Sequence, residues 1–183
     1  MRIPVGGAGP ARRQIGSVSV SGPHPAPTAP PPSRRNAMST APFQDATLSP
    51  DYFNRISQRG LPAHLGLKVL QVGAQEVRLE MALVPVLMAP NGFLHAGALV
   101  TLADTAAGYG CVANLPEGAR GFTTIELKSN HLGTATEGHA DCVARPAHVG
   151  RTTQVWDAEV THRESGRTLA LVRCTQMVLY PKG

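Results

Sequence analysis

Between Glu80 and Glu117 lie 36 residues, and Asp104 is the only charged side chain among them. It stands in Leu102-Ala103-Asp104-Thr105-Ala106, inside an apolar run from Leu94 to Val112. A carboxylate with apolar neighbours on both sides of a buried helix is costly unless it is paired, neutralised or turned toward a polar cavity. The sequence leaves two readings open. Asp104 is either a structural residue satisfied by Thr101, Thr105 or a partner chain, or a carboxylate poised at a cleft as base or nucleophile.

Other reactive side chains form no such setting. Cys111, Cys142 and Cys174 are odd in number, widely spaced and without any C-x-x-C pairing, which argues against a disulfide framework and against zinc. Each sits in an apolar or alternating stretch and reads as a buried thiol, in keeping with a reducing cytoplasm. His131 and His139 lack metal-ligand spacing and read as strand-surface residues, so no metal is expected. No glycine-rich phosphate loop of the G-x-x-x-x-G-K type is present.

The elements that must position Asp104 follow from periodicity. Leu48, Tyr52, Phe53 and Ile56 fall at helical spacing between Ala46 and about Gly60, with Ser49-Pro50 as cap and first-turn proline. Leu67 to Val72, a turn at Gly73-Ala74, and the alternation Val77, Leu79, Met81, Leu83 read as a β-hairpin. Asn91-Gly92 is a turn, and Leu94 to Val112 is long enough for about five helical turns. His95, Asp104 and several glycines make this a core helix rather than a membrane span. Four strands follow, at Phe122 to Leu132, Gly138 to Ala147, Thr152 to Arg163 and Thr168 to Tyr180, the last two joined by the turn Glu164-Ser165-Gly166-Arg167. One long apolar helix followed by an antiparallel run predicts an α+β layer fold whose sheet wraps that helix.

Composition bounds the rest. At about 150 residues per domain, 183 residues hold one domain and a remainder. Residues 1–37 carry five arginines, eight prolines and no acid. Residues 1–45 read as a disordered leader, explained most simply by an over-extended start or vector-derived sequence, with one domain over 46–183. Without residues 1–37 the chain has 12 basic and 12 acidic side chains, which removes the electrostatic case for nucleic-acid binding by the domain.

The string Asn91-Gly92-Phe93-Leu94-His95-Ala96-Gly97-Ala98-Leu99-Val100-Thr101-Leu102-Ala103-Asp104-Thr105-Ala106 resembles the hotdog-fold acyl-CoA thioesterases of the phenylacetic-acid-degradation type. Ile125-Glu126-Leu127-Lys128-Ser129-Asn130 and Val149-Gly150-Arg151 add to the resemblance, which covers about Pro50 to Tyr180. Two departures stand out. His95-Ala96-Gly97 replaces the usual His-Gly-Gly, and Asn91 precedes His95 by four residues, a shorter interval than in many members. Alanine keeps the backbone N–H, whereas the short interval weakens a polar role for Asn91.

The resemblance implies that the Ala96 N–H polarises the thioester carbonyl and that Asp104 attacks it or activates water. On one helix these groups are eight residues apart, about 12 Å at 1.5 Å per residue. Reacting atoms must lie within about 3 to 3.5 Å, so the two cannot serve one carbonyl from one chain. An obligate homodimer follows, and pairing of dimers into a homotetramer is the expectation. By the same resemblance His95 donates to the carbonyl or fixes the loop, and Thr124 holds water or the carboxylate. Coenzyme A, as part of the substrate, calls for a cationic rim; Arg151 with Gly150 is the first candidate, followed by Lys128, Arg145 and His148. No separate cofactor is implied. The rival readings are a non-catalytic acyl-CoA binder and a hotdog hydratase or dehydratase; against the last, no His follows Asp104 within ten residues.

Overall fold

The computed structural model describes residues 48–58 and 60–181. The expected disordered leader over residues 1–45 lies outside the described residues. Ser49 caps α1 (Pro50–Ser57), its hydroxyl accepting from the Tyr52 N–H at 3.2 Å. The expected leading helix is found as α1, and a second one, not foreseen, follows it: Gly60 is extended, and a four-residue α2 (Leu61–His64) starts with Pro62 in its first turn, where a missing N–H is harmless. Asn54 ties α1 to β1 (Leu67–Val72) by accepting from the Val69 N–H at 2.8 Å and donating to its carbonyl at 3.0 Å.

The hairpin expectation holds in β1 and β2 (Val77–Ala82), where Val77, Leu79 and Met81 are buried and alternate with Arg78, Glu80 and Ala82. A short 3-10 turn at Pro85–Leu87, not foreseen, leads to the central helix α3 (Ala96–Ala113). This helix begins two residues later than expected because His95, in extended backbone, serves as its N-cap. The four later strands are β3 (Gly121–His131), β4 (His139–Val149), β5 (Thr153–His162) and β6 (Thr168–Leu179), each within two residues of the expected ends.

All six strands form one antiparallel sheet in the order β1-β2-β4-β5-β6-β3, so β1 and β3 are its edges. The inner face packs on α3. Two glycines permit the closest approach: a Cβ on Gly108 would lie 2.8 Å from the Phe122 ring, and one on Gly110 would lie 2.5 Å from the ring of fully buried Trp156. By length and composition α3 could cross a membrane, but more than half of it is buried inside this domain, as the core-helix reading requires.

One irregularity decides what the edge strand presents. The β3–β6 register shifts between Thr124 and Glu126, leaving Ile125 as the extra residue of a bulge. Thr124 pairs with Gln176 and Leu127 with Cys174, both of which are fully buried, so these two β3 residues face α3. Thr123, Glu126, Lys128 and Asn130 pair with Met177, Thr175, Arg173 and Leu171, none of which is buried, and face outward.

Candidate active site

The loop entering α3 is built from its own backbone. The Ala89 N–H donates to Phe93 O at 2.7 Å, the Gly92 N–H to Ala89 O at 2.8 Å, and the His95 N–H to Leu87 O at 2.9 Å. Gly92 holds φ +83°, a conformation that favours glycine. The Asn91 side chain is engaged here, its Oδ1 accepting from the Phe93 N–H at 3.2 Å. Asn91 is therefore a turn residue that also borders the cavity beside it.

His95 Nδ1 accepts from the Gly97 N–H at 2.9 Å. This bond settles the tautomer: an accepting Nδ1 leaves the proton of a neutral ring on Nε2. It also removes Gly97 from the set of free donors. The Ala98 N–H is used by His95 O at 3.0 Å, whereas among the described residues the Ala96 N–H has no acceptor. It lies at the positive end of α3, on a cavity of about 440 Å³ bordered by Asn91, Phe93, His95, His131 and Thr134.

Asp104 lies further along the same uninterrupted helix and is half-buried. Thr124 Oγ1 donates to its Oδ1 at 3.2 Å. The bulge turns Thr124, rather than Thr123, toward the helix, which resolves the parity of this strand. Cys174, fully buried on β6, lies on the same inner face as Thr124. Burial first, and then the nearby carboxylates, push its thiol up to about 12, so it stays protonated at neutral pH and is no rival nucleophile. Burial alone pushes Cys111 up to about 12, and it raises Cys142 as well. Among the described residues no group of His, Cys, Asp and Glu could hold a metal ion.

The candidate coenzyme A residues are split by the sheet. Gly150, Arg151 and His148 lie near the β4–β5 turn, where the Gly150 N–H donates to Thr153 O at 2.9 Å and Arg151 lies over the Tyr180 ring, 5.9 Å from its centroid. Registers place this turn at the end of the sheet nearer Thr124. Lys128 and Arg145 point the other way: both line a groove of about 600 Å³ on the outer face, and Arg145 pairs with Glu76 at 2.5 Å. Within one chain, they do not share the rim with Arg151. Tyr109, one turn past Asp104, packs on Phe53 and bonds Ser57 through its hydroxyl, so it faces α1.

Sequence reasoning did not connect His131 with Ala96. The strand-surface reading holds, since His131 is exposed, and it also ends β3 on the cavity that Ala96 borders, with Nε2 2.8 Å from Ser129 Oγ. A parity count through β3 could have found it only with the bulge known.

A family model described as the thioesterase superfamily matches residues 91–169. The 1,4-dihydroxy-2-naphthoyl-CoA hydrolase of Escherichia coli is 30% identical over 129 residues, covering 69% of this chain and 91% of the relative. The Listeria monocytogenes protein of the same name is 29% identical, covering 63% and 93%. A thioesterase family protein from Silicibacter pomeroyi superposes with a TM-score of 0.63 at 31% identity, covering 72% of this chain and 95% of that one. A mutant thioesterase from Pseudomonas aeruginosa superposes with a TM-score of 0.69 at 26% identity, covering 75% and 98%.

Proposed function

Because the chain belongs to the thioesterase superfamily, we propose that it hydrolyses acyl-CoA thioesters to free acid and coenzyme A at a site shared by two copies. The observation that carries this reading is the pairing on α3 of an unpartnered Ala96 N–H at a cavity with a Thr124-held Asp104. The thioester carbonyl oxygen docks on the Ala96 N–H, where the helix dipole stabilises the negative charge that develops as the carbonyl carbon becomes tetrahedral. His95, its proton on Nε2, and His131 border the same space. Asp104 either attacks the carbonyl carbon to give a mixed anhydride, which water then cleaves to free acid and regenerated Asp104, or takes a proton from the attacking water; in both routes coenzyme A leaves as its thiolate.

Eight residues of straight helix separate Ala96 from Asp104 in one chain, about 12 Å. The two groups therefore meet only across copies. The free edge of β3 supplies the means, since the outer side of this eleven-residue strand has no pairing strand and Ile125 is 53% exposed. Antiparallel pairing of two such edges about a two-fold axis near Leu127 brings the Thr124 end of one opposite the His131 end of the other. Asp104 of the second copy then approaches Ala96 of the first. Gly150 and Arg151, at the Thr124 end, are placed for the phosphates of coenzyme A. Exposed Leu171 and Met177 on the outer sheet face are a surface for pairing dimers into a homotetramer, and three buried thiols suit a reducing cytoplasm.

The naphthoyl-CoA hydrolases among the relatives support an aryl-acyl substrate, without favouring the phenylacetic-acid type over others. Thiol release from aryl-acyl through long straight-chain acyl-CoAs, by the wild type and Asp104→Asn, tests the reading. Hydrolysis that vanishes in Asp104→Asn with the fold intact supports it. No turnover on any member by a folded dimer would instead make the protein an acyl-CoA binder, with Asp104 structural.

A further inference from the structure

A row of three polar side chains crosses the inner face of the sheet beneath α3. Gln176 of β6 stands between Thr124 of β3 and Gln154 of β5, in register with both. Both polar atoms of Gln154 have partners in this row: its Nε2 donates to Asn114 O at 2.8 Å, and its Oε1 accepts from Trp156 Nε1 at 3.0 Å. Thr124 donates to Asp104. Gln176 is fully buried, and among the described residues neither its Oε1 nor its Nε2 has a partner. Buried amides without partners are rare because each lost bond carries the full desolvation cost of the group. The apolar residue expected at an inward β6 position would avoid that cost, so the amide needs another occupation.

Directly paired residues on one face of an antiparallel sheet have Cβ atoms about 4.5 to 5.5 Å apart, which makes the Gln176 amide and the Thr124 hydroxyl neighbours that a single water can join. The Thr124 hydroxyl spends its proton on Asp104 and keeps lone pairs free to accept. We propose that Gln176 is a positioning residue for the hydrolysis: through a buried water it holds the Thr124 hydroxyl so that its proton stays directed at Asp104. Gln176 Nε2–H donates to the water, the water donates to Thr124 Oγ1, and Thr124 donates to Asp104 Oδ1. No bond to substrate is involved, since Gln176 has no exposed surface in the described structure. The inference rests on Asp104 as the reacting carboxylate.

The test is a double-mutant cycle of Gln176→Leu and Thr124→Val, with Asp104→Asn alongside, read as kcat and KM for the best acyl-CoA. Gln176→Leu is expected to lower kcat about tenfold with KM unchanged, because it removes the amide end of the relay. In the Thr124→Val background it should cause no further loss. A wild-type kcat in Gln176→Leu, or a loss that adds in full to that of Thr124→Val, overturns the proposal. If Gln176→Leu does not fold, Gln176→Met carries the same test in an unbranched side chain. Thiol release that survives in Asp104→Asn marks failure of the proposed function instead. The relay is then judged from Tm across the same cycle: non-additive shifts sustain it, and additive shifts remove it.

Discussion

At the scale of single residues, the site depends on one backbone N–H and one carboxylate, and each can be removed without disturbing its surroundings. Ala96 is the first helical residue, and His95 before it has φ −68° and ψ 131°, the extended backbone that a following proline favours. Ala96→Pro therefore deletes the donor while keeping the helix start, which tolerates proline. It is expected to lower kcat by about 10²- to 10³-fold, as loss of an oxyanion donor does, with Tm retained. Steady-state kinetics and a thermal melt together check this. Asp104 was legible as a functional candidate because no other charge interrupts its 36-residue stretch. His131 and Gln176 were not. Their meaning depends on which face of a strand they occupy, and a single bulge at Ile125 reverses that parity within β3.

At the scale of elements, α3 sits close on the sheet because glycine occupies the contacts with the aromatic rings. Gly110→Ala would place a methyl group 2.5 Å from the Trp156 ring, and the overpacking is expected to cost about 1 to 3 kcal/mol, readable as a lower denaturation midpoint at unchanged m-value. The β5–β6 turn is held to the start of β4 by Glu164, which accepts from His139 Nδ1 at 2.9 Å and from the His139 N–H at 3.0 Å, with His162 beside it at 3.0 Å. The side-chain bond to His139 leads in pulling Glu164 from 4.5 down to about 2. A carboxylate whose folded value is depressed contributes stability above its unfolded value and loses it as pH falls through the folded one. The stability gap between wild type and Glu164→Gln should therefore be full above about pH 5 and close on approach to about pH 2, as Tm against pH would show. The strand and helix order was readable because alternation and helical periodicity are local. The short second helix after Gly60 and the 3-10 turn at Pro85–Leu87 were not, since each depends on how the chain packs before α3.

At the scale of the whole molecule, a site shared between copies makes a prediction that a site within one chain does not. Equal amounts of Ala96→Pro and Asp104→Asn, refolded together, give mixed dimers in which one site carries both defects and the other carries neither. With random pairing about a quarter of wild-type activity returns, although each parent is inactive. No recovery would mean that the reacting groups come from one chain. Breaking the edge should act in the same direction: Ile125→Lys adds a charge at the bulge of β3 and is expected to yield monomers by light scattering, with hydrolysis lost. The sequence by itself determined the α+β class, the element order, the isolated carboxylate on a central helix and the spacing that keeps Ala96 and Asp104 apart, because all of these are properties of near neighbours along the chain. Only the tertiary structure decided that Thr124 rather than Thr123 meets Asp104, that Lys128 and Arg145 leave the rim for the outer face, that His131 joins the helix N-terminus and that Gln176 is buried beside Thr124. The physical reason is that sheet facing is set by register between strands distant in sequence, and one bulged residue changes the face of every side chain beyond it.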